Sequence, residues 1–404
     1  QPPWDSIKPM WISLRPEIFG IGYLISTDVL FTAWLTYVVL RLSNVVRAAF
    51  GYEVVSTAYD YQEIAAGAYL GIFIALVWLA RRSLWSALTS AGRMFILWQR
   101  GEPLSPAERA ARNAVLAGVL GFGYTVWWLW RAGMGWWVAV LYMGLIVAFA
   151  FVYSRIRAET GAPLMFLFPF WQQQKLLINF FGGTTLAHSG PATLPVLAAL
   201  GFMARGSFPQ HAAYQIEAME IGERAHIRPR AITVCLILAL AFGLLAGYYL
   251  ILTSAYQYGF NRLDGGGGGG GYRVFLAQQQ YREIAQWQQG RQARPEVSLM
   301  LQTLFGLGIT IAISLLRSTW LGSPLHPLGF AMAASYGFHL WAPFLAVWLC
   351  KLFILRAGGM KLYRRFVPFF LGIVLGHYMV TGILWGGISL FVPELTNQYV
   401  VHFA

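Results

Sequence analysis

Long apolar stretches are the feature that most constrains how this chain can fold. A segment of about 20 apolar residues crosses the hydrocarbon core of a bilayer. Eleven candidate segments occur, at 20–40, 64–80, 113–131, 136–154, 163–183, 190–206, 231–253, 298–316, 319–337, 338–356 and 366–392. The sequence therefore predicts an all-α, polytopic transmembrane helix bundle of about eleven spans, forming a single integral membrane domain over residues 1–404.

The overall composition supports a membrane protein. Of the 404 residues, 57% are hydrophobic and only 11% are charged, whereas about a quarter of the residues of a soluble domain are charged. A soluble fold of this length cannot bury so much apolar surface. The lipid bilayer is therefore the first partner that the sequence predicts.

Prolines interrupt the three weakest candidate spans, 163–183, 190–206 and 319–337. Membranes tolerate a broken helix where protein or a cavity covers the freed backbone groups. These three segments are therefore expected to be broken or re-entrant helices. The prolines in or beside them are Pro163, Pro169, Pro191, Pro195, Pro324 and Pro327.

The net charge of +13 admits two interpretations, nucleic-acid binding and membrane orientation. Lysine and arginine accumulate in the cytoplasmic loops of membrane proteins. With eleven spans, the main basic clusters fall on one side, together with the amino terminus. The charge therefore favours a cytoplasmic amino terminus, and no nucleic-acid partner is expected.

Two connecting segments have their own character. Residues 82–112 hold an apolar-basic stretch and are predicted to form a cytoplasmic surface helix and loop. Residues 257–297 are predicted to be an extracytoplasmic loop with an amphipathic helix. The run Gly265–Gly271 in this loop is a flexible linker, an engineered insert or a stand-in for residues of unestablished identity. The chain opens on Gln1 without a methionine, which predicts a processed or partial product.

Glycine pairs four residues apart predict close helix packing within three spans. The pairs are Gly67 and Gly71, Gly243 and Gly247, and Gly372 and Gly376. Such pairs are common in any polytopic bundle, so they indicate packing without identifying a function.

Ionisable residues within a span are costly and mark candidate functional sites. Asp28 lies inside the first predicted span, where it would bind a proton or a cation, or else pair with a neighbouring helix. His377 lies near the middle of the last span. It would relay protons, ligate the metal of a bound pigment, or form a structural hydrogen bond. No other residue is predicted to contact a cofactor.

A second set of candidates surrounds the proline-broken span. Glu159 lies in a string that combines charge with Gly161 and Pro163. Lys175 and Asn179 follow, four residues apart and therefore on one helical face. A discontinuous helix of this kind can direct polar groups at a solute near the midplane. The alternative is an ordinary cytoplasmic turn with the Lys175 side chain extended toward the interface.

Catalytic and metal-binding signatures are missing. The glycine run lacks the ending of a phosphate-binding loop, and neither a nucleophile elbow nor a zinc-protease motif occurs. Glu220, Glu223 and His226 have the spacing of a helical metal face, but a solvated helix explains them better. Cys235 and Cys350 lie in apolar runs, without disulfide or zinc spacing. The sequence predicts neither an enzyme nor a metal site.

Several strings resemble an uncharacterised bacterial family of polytopic membrane proteins, which itself is similar to the oligopeptide-transporter superfamily. They lie at 16–28, 159–163, 326–332, 354–359 and 362–372. The resemblance covers most of the chain and places it in the later two-thirds of longer members. It implies a multi-pass protein of the bacterial inner membrane but supplies no functional residues.

Two functions remain open. The first is a secondary transporter, proton-coupled, for a small peptide-like or chelate solute. The broken spans and the ionisable residues within the membrane motivate it. The second is a non-catalytic scaffold or accessory subunit of a larger photosynthetic or respiratory complex. Dense aromatic residues suited to lateral contacts motivate that alternative, and a homo-oligomer is also compatible with them.

Overall fold

A computed structural model describes residues 3–13, 15–52, 54, 57, 60–100, 105–161, 167–205, 210–259, 271–320 and 322–392. Throughout these residues the chain forms helices and no strands, as the all-α prediction requires. The helices are α1 (Pro16–Leu24), α2 (Thr27–Ala49), α3 (Gln62–Arg100), α4 (Pro106–Arg131), α5 (Trp136–Thr160), α6 (Gln172–Phe181), α7 (Gly183–Ser189), α8 (Thr193–Ala199), α9 (Gln210–Arg224), α10 (Pro229–Tyr258), α11 (Gly271–Gln289), α12 (Val297–Thr319), α13 (Pro327–Tyr378) and α14 (Trp385–Phe391).

The number of membrane-crossing helices is lower than predicted. Within the described residues, six helices are long and apolar enough to span a membrane, at Thr27–Ala49, Gln62–Thr89, Trp136–Thr160, Pro229–Tyr258, Val297–Thr319 and Pro327–Phe391. The count rises to seven if Gly183–Ser189 and Thr193–Ala204, which are bent by 106°, form one broken span. The prediction of about eleven spans is therefore not confirmed.

Part of the difference is one of counting, because Pro327–Phe391 is one helix of the six and holds the predicted span 338–356 and all but the last residue of 366–392. The predicted span 113–131 lies in α4, which is not among the six.

Elsewhere prolines and glycines break the predicted spans. In the segment 163–183, the helix α6 begins only at Gln172 and has 10 residues, too few to cross a bilayer. The segment 190–206 contains the seven-residue α8 and a short 3₁₀ turn. The segment 319–337 joins the end of α12, a non-helical stretch and the first turns of α13. Apolar composition alone does not separate such half-helices from full spans.

The first predicted span is also broken. Helix α1 ends at Leu24, and the extended residues Ile25 and Ser26 separate it from α2. The ammonium group of Lys351 lies at this break and donates hydrogen bonds to the carbonyl oxygens of Tyr23, at 3.1 Å, and of Ile25, at 2.5 Å. A buried cation therefore satisfies backbone groups that the broken helix leaves open.

Helix α13 reverses direction twice, at Tyr336 and at Gly359, where the backbone is not helical. Its first arm, residues 327–335, runs beside α2 in the same direction. Its second arm, residues 337–358, runs back, so that Trp348 contacts Phe31 and Trp34. Its third arm, residues 360–378, returns along α1. The predicted spans 338–356 and 366–392 lie on either side of Gly359.

One of the three glycine pairs forms a close helix contact. Side chains added at Gly67 or Gly71 would meet Thr303 and Thr310 of α12, so α3 and α12 approach closely there. At Gly243 and Gly247 of α10, and at Gly372 and Gly376 of α13, an added side chain would meet no other atom. The spacing alone did not distinguish a packed pair from an open one.

The two connecting segments are both largely helical. Residues 82–100 continue α3 as one helix of 39 residues. Helix α11 lies within the segment 257–297 and buries Leu276, Gln280 and Trp287. Most of the glycine run, residues 265–270, lies outside the described residues.

Candidate functional site

Two adjoining cavities form a cleft beneath α11, which we call the α11 cleft. They have volumes of about 560 and 350 Å³ and share Trp171, Arg205 and Leu276 in their walls. Polar and charged side chains contribute to a mainly apolar and aromatic lining, as in small-molecule sites generally. The polar and charged residues of the cleft are Gln62, Lys175, Arg205, His211, Gln279, Gln280 and Glu283, and Phe170 and Tyr336 add aromatic rings.

Three irregular points of the backbone meet at the cleft. Trp171 precedes α6 in the left-handed region, with φ of 57°, which is uncommon for a bulky side chain. Arg205 follows the 3₁₀ turn Leu200–Ala204 in an extended conformation. Tyr336 is the first reversal point of α13, and its ring packs edge-on against Phe170. Irregular backbone at membrane depth is tolerated where it lines a cavity, and it concentrates at functional sites.

Charged groups of both signs lie in or next to the wall of the smaller cavity. The ammonium nitrogen of Lys175 lies 4.0 Å from a carboxylate oxygen of Glu63. On the opposite wall, Gln279 donates a hydrogen bond of 3.3 Å to Glu283. Burial raises the pKa of the Glu283 carboxyl above its usual value of 4.5, opposed by the charge of Lys175 and by the Gln279 hydrogen bond. The cleft can therefore bind both signs of charge.

A second cation lies where the two cavities meet. The guanidinium group of Arg205 is 5.5 Å from the ring centres of both Phe170 and Trp171. This distance is within the range of cation–π attraction. The two aromatic rings therefore hold the arginine in the cavity that Lys175 also lines, and the two cations favour binding of a carboxylate there.

Helix α6 carries buried amides that have no hydrogen bond. The side chains of Gln172, Gln173 and Asn179 are at most 1% exposed, and none of their amide atoms has a partner. Burying an unpaired amide costs about 1–3 kcal/mol. Unpaired buried amides are unusual in a helix with a purely structural role. Helix α6, which follows Trp171 of the cleft, is therefore a candidate polar element of the site beside α11.

Asp28 lies in an ion pair away from the cleft. Arg317, in the last turn of α12, donates a hydrogen bond of 2.5 Å to its carboxylate. The Asp28 carbonyl accepts from the Thr32 hydroxyl at 2.7 Å, and that hydroxyl in turn accepts from the backbone N–H of His326 at 2.9 Å. The start of α2, the end of α12 and the start of α13 are therefore joined in one polar network.

Glu159 belongs to the same network. One carboxylate oxygen lies 3.9 Å from Nε2 of His326, and the other pairs with Arg155 one turn earlier in α5. Nδ1 of His326 accepts a hydrogen bond of 3.2 Å from the backbone N–H of Leu328 and so caps α13. The first arm of α13 connects this network to the cleft, since it begins at His326 and ends at Tyr336.

His377 pairs with an acid that the sequence reasoning did not select. Nε2 of His377 lies 3.1 Å from a carboxylate oxygen of Glu17, whose residue is 1% exposed. Because Nε2 faces this carboxylate, it is not open to the metal of a pigment. Glu17 lies just before the predicted first span, so the apolar pattern gave no signal for it.

The five candidates from the sequence do not converge on one cavity. Lys175 lines the α11 cleft, Asp28 and Glu159 share the network at the start of α13, Asn179 is buried in α6, and His377 contacts Glu17. None of these five belongs to a cluster of three or more metal-ligating side chains, and no such cluster occurs in the described part of the chain.

Two further buried cations were missed because they follow or end an apolar run. Arg41 of α2 is fully buried and donates to Tyr37 and to Thr57, and it pairs with Asp60 at 3.2 Å. Lys351 lies in the second arm of α13. Basic residues at the ends of apolar runs are predicted to lie in solvated loops, as most of them do in membrane proteins. In the sequence, only apolar residues that continue at helical spacing beyond Arg41 or Lys351 could have indicated that these cations are buried.

The apolar helices indicate a helical membrane protein, and the cleft gives it a cavity lined by charged residues. A family model matches residues 1–401, and the chain belongs to this family, a family of unknown function designated DUF6785. No curated protein and no solved structure matches the chain significantly.

Proposed function

We propose that this protein is a secondary transporter, coupled to protons, for a small peptide-like or chelate solute that binds in the α11 cleft. The observation that carries the proposal is the meeting of three backbone breaks at a cavity with charges of both signs. Transporters place their solute where discontinuous helices meet. No catalytic role is proposed for any residue of the cleft.

The arrangement of charges supports a solute with both a carboxylate and an amine. Lys175 and Arg205 offer two cationic donors, and Glu283 offers an acceptor on the facing wall. Phe170, Trp171 and Tyr336 add aromatic surface for an apolar side chain. A dipeptide zwitterion has a carboxylate for the two cations, an amine for Glu283 and side chains for the aromatic surface. A carboxylate-rich metal chelate has the carboxylate alone.

The helix α11 supports a closed solute site. It forms one wall of both cavities through Leu276 and buries Trp287 against the bundle. Its other face is polar and exposed, as expected of an amphipathic helix at a membrane surface. A movement of α11 away from the bundle would open the cleft to one side of the membrane.

The polar network of Asp28, Glu159 and His326 supports one orientation of the protein in the membrane. Arg155 and Arg317 lie at the same end of the bundle, because both belong to the network around Asp28, Glu159 and His326. Basic residues gather on the cytoplasmic side. We propose that this end of the bundle faces the cytoplasm of a bacterial inner membrane.

Uptake into proteoliposomes tests the proposal. Labelled dialanine and iron(III) citrate are the two probes, and an inward proton gradient is the driving force. Accumulation of either probe is expected in wild-type vesicles and is expected to collapse when the gradient is dissipated. Lys175→Gln and Arg205→Gln are each expected to weaken probe binding about tenfold, the loss of one charge-assisted hydrogen bond.

Arg224→Gln is the matched control. Arg224 is exposed on α9, where it pairs with Glu220 far from the cleft lining, and its substitution is expected to leave uptake unchanged. Dialanine methyl ester, which lacks the carboxylate, is expected to bind more weakly than dialanine. Absence of uptake and binding for both probes, or equal effects of the Lys175 and Arg224 substitutions, would contradict the proposal.

One observation favours the alternative of an accessory subunit or a homo-oligomer. Helix α10 has 30 residues and is strongly apolar, yet none of its residues is buried. Lipid can cover such a helix, and so can a neighbouring subunit. Native mass spectrometry from nanodiscs separates the two cases, since a lone monomer contradicts the subunit role.

A further inference from the structure

We propose that Glu17 and His377 form a buried site that binds one proton and couples its occupancy to the packing of α1 against the third arm of α13. The role in coupling rests on the proposed transport function. Proton binding by the pair does not, and it is tested without any solute.

The geometry of the pair carries the proposal. A carboxylate oxygen of Glu17 and Nε2 of His377 are 3.1 Å apart, within the distance of a hydrogen bond. Both atoms are shielded from solvent, and neither makes a hydrogen bond in the present orientation. A buried polar atom without a partner is costly. A small rotation of either side chain would place one proton between the two atoms and remove both costs.

The charge balance of the pair favours a single proton. With one proton, the pair is either a neutral acid beside a neutral ring or a carboxylate beside an imidazolium. Loss of that proton leaves the Glu17 carboxylate with Arg15, 3.9 Å away, as its remaining charged partner. A second proton leaves a buried imidazolium beside a neutral acid, which is an uncompensated buried charge. The pair therefore binds at most one proton beyond the carboxylate and the neutral ring.

The surroundings of the pair include few other titratable groups. Arg15, at the N-terminal end of α1, lies 3.9 Å from the other carboxylate oxygen of Glu17. Tyr378 follows His377 on the third arm, and Tyr214 of α9 lies near Tyr378. Arg15 therefore places a positive charge beside the carboxylate of the pair.

The position of the pair links it to the break between α1 and α2. One turn after Glu17, Gly20 packs directly on the backbone of the third arm at Phe370. Tyr23 then stacks on Phe370 with ring centres 3.9 Å apart, and its carbonyl accepts from Lys351. A change in the contact between Glu17 and His377 can therefore shift α1 along the third arm of α13. Such a shift would move the break between α1 and α2, which positions α2.

Nuclear magnetic resonance of the full chain in lipid nanodiscs tests proton binding. The seven histidines are labelled with ¹⁵N, and the resonance lost in His377→Asn identifies His377. Its titration midpoint is expected to shift by about one pH unit in Glu17→Gln, the usual effect of a neighbouring opposite charge. Glu17→Asp is expected to restore part of the shift, and the exposed Glu220→Gln is expected to cause none. An unchanged midpoint in Glu17→Gln overturns the proposal.

A thermal unfolding cycle covers the case in which Glu17→Gln does not fold. Glu17→Asp, His377→Asn and the double variant are compared between acidic and neutral pH. The double variant is expected to lose no more of the pH dependence than His377→Asn alone, because the pair binds a single proton. Additive losses overturn the proposal.

Coupling is measured separately with dialanine. Glu17→Gln is expected to bind dialanine as tightly as the wild type but to lose at least tenfold of its gradient-driven accumulation. Undiminished accumulation overturns the coupling role. If wild-type protein does not bind dialanine or iron(III) citrate, the transport function fails, while a shifted His377 midpoint still supports the proton site.

Discussion

Asp28, in the first turn of α2, accepts a hydrogen bond of 2.5 Å from Arg317, in the last turn of α12. The two residues are 289 positions apart in the chain. The carboxylate lies near the positive end of its own helix dipole, and the guanidinium lies near the negative end of the other. Asp28 is therefore held as an anion that joins two helices, which is the pairing alternative considered for it from the sequence.

This relationship predicts a structural role for the pair. Asp28→Asn and Arg317→Gln are each expected to lower the stability by about 1 kcal/mol, the value of a partly exposed ion pair. The double variant is expected to lose less than the sum, because each single substitution already removes the same contact. Thermal unfolding of the four proteins in one detergent measures the cycle. Strict additivity would show that the pair does not interact.

Lys351 predicts a larger effect because its ammonium group is buried and satisfies two carbonyls at the α1–α2 break. Lys351→Met is expected to destabilise the protein by about 2–4 kcal/mol, since two backbone acceptors lose a charged donor. Lys361→Met, at an exposed position next to the second reversal of α13, is the control. Equal melting temperatures for the two variants would contradict the capping role.

The sequence predicted the helical membrane class because that class follows from composition and from the length of apolar runs. It did not predict the number of spans. The half-helix α6 and the first arm of α13 lie within apolar stretches of span length, and only tertiary contacts decide where the chain turns. The reversal at Gly359 uses a positive φ of 59°, which glycine permits, but most of the other glycines lie in straight helices.

The candidate site was predictable only in part. Lys175 was selected because it is a cation inside the proline-broken segment 163–183, on one helical face with Asn179, and it lines the cleft. Glu283 and Arg205 were not selected, because each lies in a polar segment where charged residues are ordinary. Glu283 becomes distinctive only when α11 folds over the bundle and buries it. The pairing of Glu17 with His377 likewise depends on the return of the third arm along α1.

Glu283 predicts a pH effect on stability. Burial raises the pKa of its carboxyl in the folded protein above the usual value of 4.5, so the folded state holds the proton more tightly than the unfolded state. The stability that this group contributes is fully present below pH 4.5, the pKa of the carboxyl in the unfolded chain. It is lost as the pH rises from there through the raised pKa of the folded protein. Glu283→Gln is expected to remove this loss and to melt at a higher temperature than wild type at neutral pH.

The measurement is thermal unfolding of wild type and Glu283→Gln between about pH 4 and pH 8. Glu220→Gln, on the exposed face of α9, is the control and is expected to follow the wild-type profile. A profile of Glu283→Gln parallel to that of the wild type would show that this carboxyl does not titrate in a buried setting.

Gly67 predicts a steric effect at the contact of α3 with α12. A methyl group there would overlap the carbonyl oxygen of Thr303, and overpacking of this kind costs about 1–3 kcal/mol. Gly243→Ala is the matched control, since nothing lies within 4 Å of its added methyl group and alanine is the better helix former. Melting temperatures are expected to fall for Gly67→Ala and to hold or rise for Gly243→Ala. A fall of equal size in both would contradict the close contact.

The burial of His326 predicts a pH dependence of stability opposite in sign to that expected from Glu283. Burial, with the charges of Arg317 and Arg155, lowers the pKa of its ring to about 4 from the usual 6.5. The unfolded chain therefore takes up a proton between those values that the folded chain does not. The stability due to the neutral ring is complete above about pH 6.5 and falls as the pH drops toward 4.

Two substitutions separate this titration from the capping of α13. His326→Asn keeps an acceptor for the Leu328 N–H and cannot titrate, so its stability is expected to decline less than that of the wild type between pH 6.5 and pH 4. His326→Ala removes the acceptor as well and is expected to lose about 1 kcal/mol at neutral pH. Thermal unfolding across this pH range measures both effects. An acid-side decline in His326→Asn as steep as in the wild type would assign the titration to other groups of the network, and equal stability of the two variants at neutral pH would exclude the cap.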